Sequence, residues 1–392
     1  MTYADRWLLP DGVEEILPGQ AQQIEQLRRQ LLDLYRRWGY DFVIPPLMEF
    51  TDSLLIGMGS DLDLLTFKVT DQLSGRMLGI RADITPQAAR MDAHSLKRDG
   101  ANRLCYAGHV LFTKPKAPLA TRSPIMSGVE LFGEASINAD LEVLSILLES
   151  LDTVGLSSAS IELGHVAIFR AIAEAAQLSD NRRAELFDML QRKALTELSS
   201  WIESNIRESK VAQLINVLPT LAGDRASLVK AREKLADAPA PVLDAIGELE
   251  NLADRLLSRY PQARLYFDLS EPHSFNYHTG LVFSVFAPGL GRALASGGRY
   301  DDVGEVFGRA RPATGFSIDV TTVNQLLNMP VEKTSAIFAE TSEDPVLWEF
   351  IQTLRSKGEV VICGFTGDTS PQQRCDRRIE NVGGKYTVVA DS

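Results

Sequence analysis

The residues whose types and spacing suit chemistry fall in four stretches of this 392-residue chain. In GIRADITPQAAR (residues 79–90), Thr85 before Pro86 has the pattern of a helix N-cap followed by proline at the first helical position. Asp83 then lies just outside a helix N-terminus, where a carboxylate either meets a ligand or complements the macrodipole. In VELFG (129–133), Glu130 is either a ligand group or an outward strand charge. HSFNYH (273–278) contributes Tyr277 and His278, the latter also readable as a core histidine. In ASGGRYDDV (295–303), Gly297 and Gly298 let a backbone approach a ligand closely. Arg299 there can anchor a carboxylate or brace a sheet, and Tyr300 offers a flat wall with a polar tip, or simply packs.

Such a set suits binding of a small polar molecule. No Ser/His/Asp arrangement accompanies it. The five histidines (His94, His109, His165, His273, His278) have no HExxH spacing, and Cys105, Cys363 and Cys375 form no CxxC. Neither a metal site nor a disulfide framework is expected, and a reducing cytoplasm fits. The N-terminus, MTYADRWLLPDG, lacks the apolar core of a signal peptide, and no apolar run is long enough to span a membrane. A formal charge of -12 gives no global field to draw in nucleic acid.

The elements that must position these residues follow from periodicity. Ile24, Leu27, Leu31, Leu34, Tyr35 and Trp38 recur at three and four, predicting an amphipathic helix over 20–38 that Gly39 ends. A strand is expected over YDFVIPPLMEF (40–50), with Pro45 and Pro46 confining it to an edge or interface. Residues 64–81 alternate as two strands around Ser74-Gly75. Two further β-rich runs flank a long loop within Tyr106 to Gly133, which holds Lys114, Pro115, Lys116, Pro118 and Arg122. Helix is expected from Asp140 to Val154, a strand at SIELGH (160–165), and helices throughout about 166–257. Strands return over 263–289, and a Gly-rich turn, a strand and a helix end at about 328. The remainder, 329–392, is expected to be a small α/β module with strands at SAIFAE, EVVICGF and KYTVVAD and one helix.

The hairpin, with its YxG opening and GxExFG ending, resembles motif 2 of class II aminoacyl-tRNA synthetases, and of the histidyl enzyme in particular. The helix and proline-ended strand resemble motif 1, which implies self-association as a dimer. GIRADITPQAAR resembles the segment that holds the substrate ammonium, and ASGGRYDDV a histidine-specific signature. The resemblance covers residues 9 to about 328. It implies an α+β fold, a class II synthetase-like antiparallel sheet flanked by helices, with a helical insertion at about 166–257 in a domain over 1–328.

Three arginines of that family are replaced. Phe112 stands where one grips the α-phosphate of ATP, His273 where a second is catalytic, and Thr322 where motif 3 binds the γ-phosphate. Asn276 replaces an aspartate and Met126 a glutamine of the same pocket, while Tyr277 is retained. Adenylation needs positive charge as the pentavalent state forms, and lysines displaced along the loop substitute poorly for bidentate guanidinium. The pattern of losses resembles the regulatory subunits of ATP phosphoribosyltransferase, the synthetase-like paralogues that act with a short-form catalytic subunit in the first step of histidine biosynthesis. That resemblance implies no catalytic residues, no cofactor, L-histidine as effector, and a hetero-oligomer, with a hetero-octamer as one stoichiometry. It implies a histidine site of Asp83, Thr85 and Glu130 at the ammonium, Arg299 and turn amides such as that of Gly298 at the carboxylate, and Tyr277, His278 and Tyr300 at the ring. An amino-acid-activating ligase or truncated synthetase, and a scaffold with no ligand, are the alternatives.

Overall fold

The computed structural model describes residues 7–55, 60–118, 120–270, 278–327, 335–365 and 375–390. The chain divides into two compact units, Met1–Asn328 and Met329–Ser392.

The first unit opens on α1 (Pro18–Arg37), whose residues Ile24, Leu27, Leu31, Leu34 and Tyr35 are buried along one face. Pro18 sits where no N–H is needed, and Gly39, at φ 82°, takes the left-handed turn that ends the helix. The single strand expected over 40–50 is instead two. β1 (Asp41–Phe42) and β2 (Met48–Phe50) enter different sheets. Pro45 and Pro46 cause the break, since neither can donate to a ladder. Their carbonyls accept from side chains, Arg81 Nη1 to Pro45 and Gln87 Nε2 to Pro46, both at 2.8 Å.

Short helices α2 (Thr51–Leu54) and α3 (Ser60–Leu65) lead to β3 (Phe67–Thr70) and β4 (Met77–Ile80), which with β2 form a three-stranded antiparallel sheet in the order β2-β4-β3. Helix α4 (Thr85–Arg90) follows and continues as a π-helical turn over Met91–Leu96.

The main sheet takes in β5 (Asn102–His109) and β6 (Ile125–Phe132), then helix α5 (Ile137–Thr153) and β7 (Ser160–His165). The helical stretch comprises α6 (Val166–Ala175), α7 (Asp180–Gln191), α8 (Leu195–Asn205), α9 (Ser209–Val217), a two-residue strand β8 (Ala222–Gly223), α10 (Ala226–Lys234) and α11 (Ala240–Arg259). Four strands and a helix complete the unit: β9 (Arg264–Asp268), β10 (Leu281–Phe286), β11 (Ala295–Arg299), β12 (Ala313–Asp319) and α12 (Val320–Leu327). The nine strands run in the order β1-β5-β6-β12-β11-β10-β7-β9-β8. Pairing is antiparallel from β5 through β7, while β1 joins β5 and β9 joins β7 in parallel. One face of this sheet meets α1, α5 and the later helices in the main core, where Leu31, Val129, Leu144, Ile161, Leu249 and Phe316 are buried. Burying one such side chain contributes about 1.5–3 kcal/mol, so this face is the part of the fold least free to move.

In the second unit, β13 (Ala336–Ala339), α13 (Pro345–Ser356), β14 (Val360–Cys363), β15 (Arg377–Val382) and β16 (Lys385–Ala390) form a sheet ordered β14-β13-β15-β16 with a helix. β15 is a strand that sequence pattern does not announce. Its sequence, RRIENV, has one buried apolar residue, Ile379, and so no alternation of the usual kind. The hairpin to β16 turns on Gly383 and Gly384, at φ 59° and 83°, the positive pair that a two-residue hairpin loop demands.

Candidate functional site

The site is built on Glu130, which is 1% exposed in the middle of β6 and so is not an outward strand charge. Three hydroxyls surround it. Thr85 Oγ1 donates to Oε1 at 2.6 Å, Tyr106 to Oε1 at 3.0 Å, and Tyr300 to Oε2. Burial pushes the Glu130 pKa up to about 8 against the pull of these donors, and the nearby Asp83 charge pushes in the same direction as burial. Burial therefore works against the ionised form, and a cation placed against the carboxyl would favour it.

Backbone space makes this arrangement possible. Glu130 lies opposite Gly315 on β12, and Gly315 lies opposite Gly298 on β11. A Cβ on Gly315 would collide with Glu130 Oε2, and one on Gly298 would fall 2.7 Å from His278 Cδ2. Directly paired residues share a sheet face, so the Glu130 carboxyl and the His278 ring stand on the same face with a floor of two glycines between them. Thr85, Tyr106 and Tyr300 reach this face through the carboxyl itself.

Asp83 and Thr85 have exchanged the roles expected of them at the helix start. Thr85 is the first residue of α4, and it is Asp83 Oδ1 that accepts the Thr85 N–H, at 3.1 Å. This leaves the threonine hydroxyl to bind Glu130. Asp83 remains half-buried at the edge of the site.

Arg299 braces rather than faces the site. Its guanidinium meets Asp140 Oδ2 of α5 at 2.7 Å, Asp301 Oδ1 at 3.3 Å, and the carbonyls of Glu134 and Ser136. Strand alternation sends it to the α5 side while its neighbours Gly298 and Tyr300 serve the opposite side. Tyr277, with His273 and Asn276, lies outside the described residues.

The two describable positions of lost arginines are filled in different ways. Phe112 is buried in an apolar cluster with Ala82, Ile84, Tyr106 and Val110. The Lys116 ammonium sits over its ring, 4.3 Å from the centroid. Thr322 is buried at the start of α12, its N–H and hydroxyl both bound by the capping carboxylate of Asp319 at 2.9 and 2.6 Å. Arg292 Nη2 donates to the Thr322 hydroxyl at 2.6 Å. Guanidinium groups that would clamp a triphosphate are thus replaced by a buried ring and by a threonine bound to its helix's capping carboxylate.

Tyr106, Lys116 and Arg292 are not among the site residues expected from sequence. Tyr106 is recoverable, because antiparallel pairing of β5 with β6 places Leu104 opposite Glu130 and Tyr106 two residues away on the same face. Arg292 sits in the β10–β11 connection, and nothing local in ALASGG points from it to Thr322.

Residues 12–323 match the family model Histidyl-tRNA synthetase, and residues 334–389 match the ATP phosphoribosyltransferase subunit HisZ C-terminal domain. Over 389 residues the chain is 57% identical to the ATP phosphoribosyltransferase regulatory subunit of Cellvibrio japonicus (strain Ueda107), covering 99% of this chain and 98% of that protein. This chain belongs to the ATP phosphoribosyltransferase regulatory subunit family. The regulatory subunit of Saccharophagus degradans (strain 2-40 / ATCC 43961 / DSM 17024) is 52% identical over 391 residues, with 99% of each chain covered. A crystal structure described as an ATP phosphoribosyltransferase regulatory subunit/histidyl-tRNA synthetase from Bacillus halodurans superposes with a TM-score of 0.84 at 28% identity, covering 94% of this chain and 96% of that one. Membership of the regulatory subunit family makes this a non-catalytic subunit of an enzyme complex in histidine biosynthesis on a class II synthetase-like fold. The filled arginine positions are the physical counterpart of that assignment. No helix among the described residues is long and apolar enough to cross a membrane, and none of their His, Cys, Asp and Glu side chains group in threes to hold a metal.

Proposed function

We propose that this regulatory subunit binds the short-form catalytic subunit of ATP phosphoribosyltransferase in a cytoplasmic hetero-oligomer, is required for its activity, and conveys feedback inhibition by L-histidine. The observation that carries the effector reading is the Glu130 carboxyl, held out of water by three hydroxyls over a glycine floor, with Asp83 beside it. A free ammonium entering here would gain a charge-assisted hydrogen bond in a site of low polarity, worth about 1.5–3 kcal/mol. In this reading His278, on the same sheet face as Glu130, and Tyr300, bonded to Glu130, wall the imidazole. Gly298 leaves room for the His278 ring, and Arg299 supports the strand from behind. Coupling of about 1–3 kcal/mol between this site and the partner is enough to regulate flux.

Self-association as a dimer forms part of the same reading. Phe42 and Ile44, beside the divided proline segment, are exposed apolar residues that an identical subunit would cover.

Formation of phosphoribosyl-ATP by the short-form catalytic subunit, with and without this chain, tests the reading. Activation by the added chain is expected. No activation and no complex would overturn it, and ATP–pyrophosphate exchange by the chain alone would favour an amino-acid-activating ligase instead.

A further inference from the structure

The ladders of β10 begin at Leu281, paired with His165 of β7, and at Val282, paired with Gly298 of β11. His278 precedes both, so strand pairing does not fix it. The Thr279 N–H donates to the Arg299 carbonyl at 2.7 Å, which ties the segment to β11. Further ties come from α6, the helix that follows β7 and opens the helical insertion. The Val166 N–H donates to the Gly280 carbonyl at 3.0 Å, and Arg170 Nη2 donates to the His278 carbonyl at 2.7 Å. Val166 and Arg170 are four residues apart on the helix, and helical side chains lean toward the N-terminus. One face of α6 therefore spans the whole segment from His278 to Gly280.

The ring carried by this segment stands close to the Glu130 carboxyl. A Cβ on Gly298 would fall 2.7 Å from His278 Cδ2 and 3.1 Å from Nε2, while one on Gly315 would collide with Glu130 Oε2. Gly298 and Gly315 are direct partners across β11 and β12, so ring and carboxyl are about one strand spacing apart, roughly 5 Å. A single histidine molecule can bridge that gap with its ammonium at one end and its imidazole at the other.

We propose that Arg170 is a positioning residue of the effector site, which fixes the backbone at His278 and through it the ring over the glycine floor, so that the helical insertion takes part in recognising the imidazole. This rests on the effector reading of Glu130 and deepens it.

Packing alone does not account for a guanidinium here. Arg170 is half-buried, and burial pulls its pKa down against the opposing effect of the Asp302 charge. An apolar side chain would fill the space without that cost. What it could not supply is a directional, charge-assisted donor to a carbonyl that lies outside the strand ladders.

Calorimetric titration of the full-length chain with L-histidine, arranged as a double-mutant cycle, tests the inference. If Arg170 acts through His278, its loss matters only while there is a ring to misplace. Arg170→Met is expected to weaken histidine binding about three- to tenfold in the wild-type background and by less than about twofold in the His278→Ala background. Arg170→Lys, which keeps a charged donor in a different geometry, should show the same pattern with a smaller loss, and its cycle decides the matter should Arg170→Met not fold. Equal losses with and without the His278 ring would make Arg170 a structural residue and overturn the proposal. Unaltered affinity in both Arg170 variants, with Glu130→Gln still weakening binding, would overturn it while leaving the effector reading in place. Histidine binding absent from the wild type would remove the effector reading and this inference with it.

Discussion

Gly315 lies directly across from Glu130 on the adjacent strand, and the carboxyl of one occupies the space that a side chain on the other would need. Any Cβ at 315 would collide with Glu130 Oε2 and with the Val129 carbonyl. Gly315→Ala is therefore expected to destabilise the first unit by about 1–3 kcal/mol through overpacking and to displace the Glu130 carboxyl. Chemical denaturation reads the first effect and loss of histidine binding the second. Unchanged values of both would show that the strand tolerates the methyl group.

The raised pKa of Glu130 makes stability depend on pH. Its folded-state value, about 8, exceeds the ordinary 4.5, so between these values the folded chain holds a proton that the unfolded chain has released. The protonated carboxyl's contribution is fully present below about pH 4.5 and is lost as pH rises toward 8. Glu130→Gln has no such titration. The stability difference between variant and wild type should shift toward the variant by an amount on the order of a few kcal/mol from about pH 5 to about pH 8. Parallel pH profiles for the two proteins would contradict the assignment of a desolvated carboxyl.

Restoring one arginine should not restore a synthetase. Phe112→Arg would place a guanidinium among Ala82, Ile84, Tyr106 and Val110, and an unpaired buried charge costs several kcal/mol. The expected result is a less stable chain with no ATP–pyrophosphate exchange, because the uncharged Thr322 remains bound to the capping carboxylate of Asp319. Exchange activity in the single variant would show that Phe112 alone separates this chain from an adenylating enzyme.

Much of the site is legible in the sequence because its residues lie in short stretches with strong local chemistry. Asp83 and Thr85 flank a proline-started helix, and Glu130 and Tyr300 belong to matching motifs. What local pattern does not carry is the face each side chain takes. Gly298, Arg299 and Tyr300 are consecutive, yet alternation sends Arg299 to Asp140 and its neighbours toward Glu130. The direction depends on strand register, which emerges only once β11 is paired with β12. The same limit hides Arg292, whose contact with Thr322 spans 30 residues. The proline pair at 45–46 is plain in the sequence, but its consequence depends on Arg81 and Gln87 capturing the freed carbonyls.

Arg299 should behave as a brace. Asp140→Ala leaves its guanidinium without its main partner in a place where both side chains are largely buried, and a loss of about 3–5 kcal/mol is expected from breaking such a pair. At a temperature where the variant remains folded, histidine affinity should be within about twofold of wild type, because the pair lies behind the sheet. A large affinity loss in fully folded protein would place Arg299 at the ligand.

The central claim is that a desolvated Glu130 senses histidine for the enzyme complex. Its most direct test is the histidine concentration that halves phosphoribosyl-ATP formation by the reconstituted catalytic and regulatory subunits, compared between wild type and Glu130→Gln. The account predicts that complexes carrying Glu130→Gln are still activated but need roughly 10–100 times more histidine for inhibition, the loss expected when a charge-assisted contact is removed. Equal sensitivity in the two complexes would place the histidine sensor elsewhere.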